Sequence, residues 1–172
     1  MKRDYYSAPI LLKIAQKEYD IENDRSKKLD SRCGIFISLS SALILFMANG
    51  ILNSYAVFKH SMHVLILKGI LFEFYNILNI ISFVLLGISI IFFIKAINVT
   101  AYKRFNISYY STITRYSETI FSQVMLKYYG EAITANRQSN DTKVKSLKLG
   151  LYLLVGGIII ILFAQLYLFA IK

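Results

Sequence analysis

The sequence of 172 residues predicts an all-α integral membrane protein with three transmembrane helices and long cytoplasmic helical extensions, and three observations carry that reading. Apolar residues make up 56% of the chain, at a mean hydropathy of +0.50. They gather in three stretches without any charge: 26 residues between Arg32 and Lys59, 21 between Glu73 and Lys95, and 23 between Lys148 and Lys172. A bilayer core about 30 Å thick needs roughly 20 apolar helical residues to cross it, so each stretch is long enough. Finally, Pro9 is the only proline, and almost nothing else in the chain breaks a helix. An ordinary soluble enzyme is excluded.

The first element, 1–32, is a cytoplasmic helix, with Ser7 able to cap it and Pro9 in its opening turn, where a missing N–H costs nothing. Leu12, Ala15, Tyr19, Leu29 and Cys33 follow a heptad spacing that Glu22 and Ser26 interrupt. Nothing in Asp30-Ser31-Arg32-Cys33-Gly34 stops the helix, so it runs on into the first span. There Gly34, Ser38 and Ala42 recur every four residues, a small-residue face for helix packing, and Asn49, Asn53 and Ser54 mark the approach to the outer interface. Residues 33–97 form a two-span hairpin. Lys68 and Glu73 interrupt the apolar segment 62–75, which is expected to lie as an external interfacial helix. A fourth crossing there would require those two charges to pair inside the protein.

The second span, about 76–97, places Asn79, Ser82 and Ser89 on one polar stripe. Such groups usually bond to a neighbouring helix; the alternative is a water-exposed pore wall, which three spans in one chain are too few to enclose, so conduction requires several subunits. Residues 98–148 are a basic cytoplasmic helical region. A polar connection is followed by Ile113, Ile120, Phe121, Val124 and Tyr128 at helical spacing, and then by Ile133, Asn136, Asn140, Lys143 and Leu147. Asn136 and Asn140 sit on that cytoplasmic seam, where buried amides specify register within a chain or between chains. The third span, 149–172, repeats Gly150, Gly157 and Ala164 every seventh residue, again for close packing, with Gln165 its strongly polar group.

Charge sets the expected orientation. Of the 20 Lys and Arg, 8 lie in 1–32, 2 in 59–75 and 9 in 95–148. The positive-inside rule therefore puts the N-terminus inside, 59–75 outside and the C-terminus outside. With no Trp, Tyr55, Tyr75 and Tyr167 are expected at the outer boundary, and Tyr102 and Tyr152 at the inner one. No signal peptide is visible, because the first apolar run follows a long charged segment. The net charge of +10 would suggest nucleic acid in a soluble protein. Here it enforces topology and meets anionic headgroups, so no direct nucleic-acid binding is expected; part of it is alternatively a receptor for an anionic nucleotide messenger.

Catalytic chemistry is sparse, and neither an enzyme nor a cofactor is expected. Cys33 is the single cysteine, which excludes an internal disulfide and any cysteine metal cluster, and it reads as a packing residue rather than a lipidation site. His60 and His63 are spaced for a metal but have no further ligands beside them, so no metal is assigned. Gly-rich phosphate loops and nucleophile elbows are missing. The sequons at Asn98 and Asn106 fall on the cytoplasmic side. A small transporter is disfavoured because no span contains a charged residue away from its ends and no inverted repeat is visible.

The order of these parts resembles SLATT-type proteins, small multi-span membrane effectors of bacterial anti-phage defence systems. The resemblance lies in Leu29-Asp30-Ser31-Arg32-Cys33-Gly34-Ile35 leading into a two-span hairpin. It continues in Tyr129-Gly130-Glu131-Ala132-Ile133, Asn136, Asn140-Asp141 and Lys143 leading into a last span, and covers about residues 10–172. It implies a homo-oligomer in the bacterial inner membrane that permeabilises or depolarises that membrane when triggered. The trigger would be a separately encoded sensor or a nucleotide messenger. On this reading Asn79, Ser82 and Ser89 line the pore, and Gly34, Ser38, Ala42, Gly150 and Gly157 pack the helices. The competing reading is a non-conducting membrane anchor or scaffold whose cytoplasmic helices recruit a soluble partner.

Overall fold

The computed structural model describes residues 8–60, 66–99, 103 and 117–171, with side chains for 8–50, 73–99, 103 and 117–169. Three helices account for nearly all of them: α1, Ala8–His60; α2, Ile66–Ile97; and α3, Glu118–Ile171. At 1.5 Å per residue the 53 residues of α1 and the 54 of α3 each extend about 80 Å. All three are long and apolar enough to cross a membrane. Pro9 sits in the first turn of α1, as its chemistry requires. At the start of α3 the Ser117 carbonyl accepts from the Phe121 N–H at 3.0 Å, and Glu118 places a carboxylate in the first turn, where the helix dipole favours it.

Of the segment 62–75 expected as an interfacial helix, the described residues 66–75 are helical and continuous with the apolar run of α2. Gly130 lies inside an unbroken α3. Segments assigned by composition contain no residue that stops a helix, and helix propagation needs only the absence of a stop. Residues 61–65, Asn106 and Ile113 lie outside the described residues, as do Tyr102 and the side chains of Asn53, Ser54, Tyr55, His60 and His63.

The chain divides into two compact units. The polar unit comprises Met1–Ser31 and Ile97–Val144. In it α1 and α3 run parallel, since Tyr19 meets Tyr129, Glu22 meets Asn140, and Asp30 meets Lys143. The buried face of α1 here is the predicted seam: Leu12, Ala15 and Tyr19 are half-buried and Leu29 is buried, with Glu22 and Ser26 buried between them. On α3 the buried positions are Ser122, Met125, Ala132, Asn136, Ser139, Asn140 and Lys143. Ile120 and Tyr128, chosen by sequence for the apolar face, are exposed instead. Phe121 and Val124 are half-buried, and the buried face lies about a third of a turn away, with Ser122 and Met125, which apolar periodicity alone does not select.

The apolar unit comprises Arg32–Ala96 and Lys145–Lys172. Within it α2 runs antiparallel to α1 and α3, because Phe36 stacks on Phe93 while Met47 lies beside Ser82, and Gly150 meets Ser89 while Gly157 meets Ser82. Gly150, Leu154, Gly157, Ile161 and Ala164 form the buried stripe of α3, spaced alternately four and three residues apart. Outward-facing positions are apolar, including Ile35, Leu45, Ile80, Ile91, Leu162 and Phe169. A helical unit that leaves large apolar side chains outside on every helix suits a lipid solvent.

Candidate functional site

The polar stripe of α2 lies in the interior of the apolar unit. Asn79, Ser82 and Ser89 are 2%, 0% and 0% exposed. Asn79 donates from Nδ2 to the Tyr75 carbonyl one turn back, at 3.0 Å. Ser82 donates to the Gly157 carbonyl at 2.9 Å and lies 3.7 Å from the Met47 sulfur. Ser89 donates to the Gly150 carbonyl at 2.8 Å. Both serines therefore reach across to backbone at glycines of α3, and the pairing depends on the missing side chains. A Cβ on Gly150 would stand 2.5 Å from Phe93 Cε1, and one on Gly157 would stand 3.0 Å from Leu86 Cδ2. Glycine at these two positions is what lets α2 come close enough for a serine hydroxyl to reach an α3 carbonyl.

The small-residue face of α1 behaves differently. Gly34 is half-buried, Ser38 and Ala42 are exposed, and a Cβ on Gly34 would meet nothing within 4 Å. Ser38 bonds back to the Gly34 carbonyl at 3.0 Å. The structure thus brings Gly150 and Gly157 against a neighbouring helix and leaves Gly34, Ser38 and Ala42 on an outer surface. Tyr75, expected in an interfacial belt, is 1% exposed and belongs to the core, whereas Tyr167 makes an edge contact with Phe74 at 5.3 Å and Tyr152 is 74% exposed. Cys33 is 1% exposed, so its thiol is interior.

The polar unit holds a second constellation, on the seam positions Asn136 and Asn140, both 0% exposed. Asn140 donates from Nδ2 to both the carbonyl and the carboxylate of Glu22, each at 2.9 Å. Arg137 Nε donates to the other Glu22 oxygen at 3.2 Å, and Arg25 lies 3.4 Å from the same carboxylate while pairing with Asp141 at 2.9 Å. Burial raises the Glu22 pKa, but the hydrogen bonds from Asn140 and Arg137 and the charges of Arg25 and Arg137 outweigh it and hold the carboxyl below the ordinary glutamate value. One step along, the buried Lys143 ammonium donates to Ser26 Oγ at 2.9 Å and to Asp30 Oδ1 at 2.7 Å.

Asn136 does another job. Its Oδ1 accepts from the Lys103 N–H at 2.9 Å and its Nδ2 donates to the Lys103 carbonyl at 3.4 Å, while the Tyr19 hydroxyl donates to that carbonyl at 3.2 Å. One amide thereby holds one residue of the α2–α3 connection by both backbone groups. Glu22 and Ser26, which in sequence merely interrupt a seam, are the acceptors facing Asn140 and Lys143. The signal was available: polar residues four apart on α1 and three apart on α3 occupy matching seam positions. What sequence does not supply is that the two seams face each other.

Among the described residues no group of three or more His, Cys, Asp or Glu gathers as a metal-ligand set. Comparisons of the chain with protein-family models, with curated proteins and with solved structures found no match.

Proposed function

We propose that the protein is an oligomeric effector of the bacterial inner membrane, with its N-terminus inside and its C-terminus outside, that permeabilises or depolarises that membrane when triggered, in a defence against phage. The observation that carries this is the stripe Asn79, Ser82 and Ser89, three buried polar groups on one face of a predominantly apolar helix. Each bonds to a backbone carbonyl, and water can replace such a bond. In this arrangement the chain is a closed subunit. Opening exchanges the Ser82 and Ser89 bonds for water in a pore shared by several copies, and the outward Gly34, Ser38 and Ala42 face supports close approach of another copy.

No catalysis or cofactor enters this role. The trigger, a separate sensor protein or a nucleotide messenger, must bind the open assembly more tightly than the closed one, and the membrane potential drives the ions. The SLATT resemblance supports the defence setting.

A second reading, a non-conducting anchor that recruits a soluble partner, is favoured by the same serine bonds, since within one chain they leave the stripe no face to water. Purified chain in vesicles with a potassium gradient separates the two. The effector reading expects flux that falls when Ser82→Ala, Ser89→Ala and Asn79→Leu are combined at equal incorporation. Flux that the triple variant leaves unchanged refutes the stripe as the pore wall, and no flux under any condition assigns the anchor.

A further inference from the structure

At one end of the apolar unit the three helices each present exposed cations: Arg32 from α1, Lys95 from α2, and Lys145 and Lys148 from α3. Their level follows from the contacts beside them. Phe36 stacks on Phe93 with ring centroids 5.5 Å apart, and Gly150 lies against the Phe93 ring. From that layer Arg32 is one turn back on α1, Lys95 half a turn onward on antiparallel α2, and Lys148 half a turn back on α3, all toward the same end, within about 6 Å of rise. Lys145 lies one further turn along α3. None of the four takes part in an ion pair among the described residues.

Their neutralisation cannot come from the unit itself. Its single acid, Glu73, stands at the opposite end of α2. The acids nearest along the chain are engaged, Asp30 by Lys143 and Asp141 by Arg25. Directly beside the cations the surface turns apolar, with Ile35, Ile91, Ile94 and Leu149 exposed. Tyr152, 74% exposed, stands four residues beyond Lys148 on the same face of α3. Cations above an apolar belt, with a phenol at the boundary, match the headgroup phosphates and acyl chains of an anionic phospholipid.

We propose that Arg32, Lys95, Lys145 and Lys148 form a collar that binds the headgroups of anionic phospholipids, with the Tyr152 hydroxyl as an additional donor to phosphate. The collar goes beyond the effector role and rests only on the membrane part of that reading. The lipid is retained by contacts to charge and is enriched around the protein relative to its bulk fraction.

The test uses the full chain reconstituted into vesicles of phosphatidylcholine alone and of phosphatidylcholine with phosphatidylglycerol, followed by gentle extraction and measurement of co-purified lipid. Insertion into both vesicles, with phosphatidylglycerol enriched on the order of tenfold over its bulk fraction, is the expected result. The enrichment should disappear in the combined R32Q, K95Q, K145Q and K148Q variant, which still inserts, and should survive excess inorganic phosphate. Insertion into both without enrichment, or enrichment that the variant keeps, overturns the collar while leaving the membrane reading intact. Displacement by inorganic phosphate reduces the collar to a simple anion site and overturns it as well. Failure to insert into either vesicle overturns the membrane reading and the collar together.

Discussion

Replacing Gly150 with alanine should loosen the apolar unit, and the structure supplies its own control for the size of the effect. A Cβ at Gly150 would stand 2.5 Å from Phe93 Cε1 and 2.8 Å from Cδ1, about 1 Å inside ordinary carbon contact. The ring has little room to yield, because Phe93 is 0% exposed and stacks on Phe36. Forcing one methyl into such a site costs typically about 1–3 kcal/mol. Gly→Ala also brings a helix-propensity gain of roughly 1 kcal/mol in soluble hosts, which would mask part of that cost. Gly34→Ala brings a comparable gain with no neighbour within 4 Å. The difference between the two variants therefore isolates the overpacking term, and Gly150→Ala should be less stable than Gly34→Ala by about 1–3 kcal/mol. Unfolding of each variant in mixed micelles, followed by helical circular dichroism against denaturing detergent fraction, measures that difference. Equal stabilities, or a more stable Gly150→Ala, would refute the close α2–α3 approach.

The polar unit supports further predictions. Breaking a buried ion pair by deleting one partner costs about 3–5 kcal/mol because the other charge is left buried, so Asp30→Ala, which strands the buried Lys143, should cost about that much, while Lys143→Met, which leaves only a partly exposed carboxylate, should be near neutral; the same unfolding titration reads both. Glu22 has a folded pKa below its ordinary value, so its stabilising contribution is present above about pH 4.5 and is lost as pH falls through the folded pKa. Glu22→Gln should flatten that acid limb of a stability-against-pH curve, and an unchanged limb would show that other carboxylates control it. Asn136→Ala removes both bonds to the Lys103 backbone and should cost about 1–3 kcal/mol. Hydrogen exchange should detect faster exchange at the Lys103 amide, and unchanged protection there would contradict the clamp.

The helical character of the chain was legible because charge-free stretches and missing breakers are properties of composition. Helix limits were less so: Lys68 and Glu73 mark polarity, which does not end a helix, and 66–75 is continuous with α2. The packing faces were legible where a small residue leaves one outcome, as at Gly150 and Gly157. Gly34, Ser38 and Ala42 show a like regularity, yet Ser38 and Ala42 are exposed and a Cβ on Gly34 would meet nothing within 4 Å among the described residues, because spacing specifies a face and not its partner. The serines of the stripe were readable as polar groups inside a span, but their acceptors, the carbonyls of Gly157 and Gly150, follow only from the antiparallel register of α2 and α3. Glu22 and Ser26 likewise become intelligible only opposite Asn140 and Lys143.

The central claim is tested most directly by membrane potential, read with a voltage-sensitive dye in bacteria expressing the chain with and without its neighbouring genes, and with and without phage challenge. The effector account predicts depolarisation that disappears in the combined Asn79→Leu, Ser82→Ala and Ser89→Ala variant at equal abundance. A potential that stays unchanged in every condition contradicts a pore and leaves the helices as an anchor.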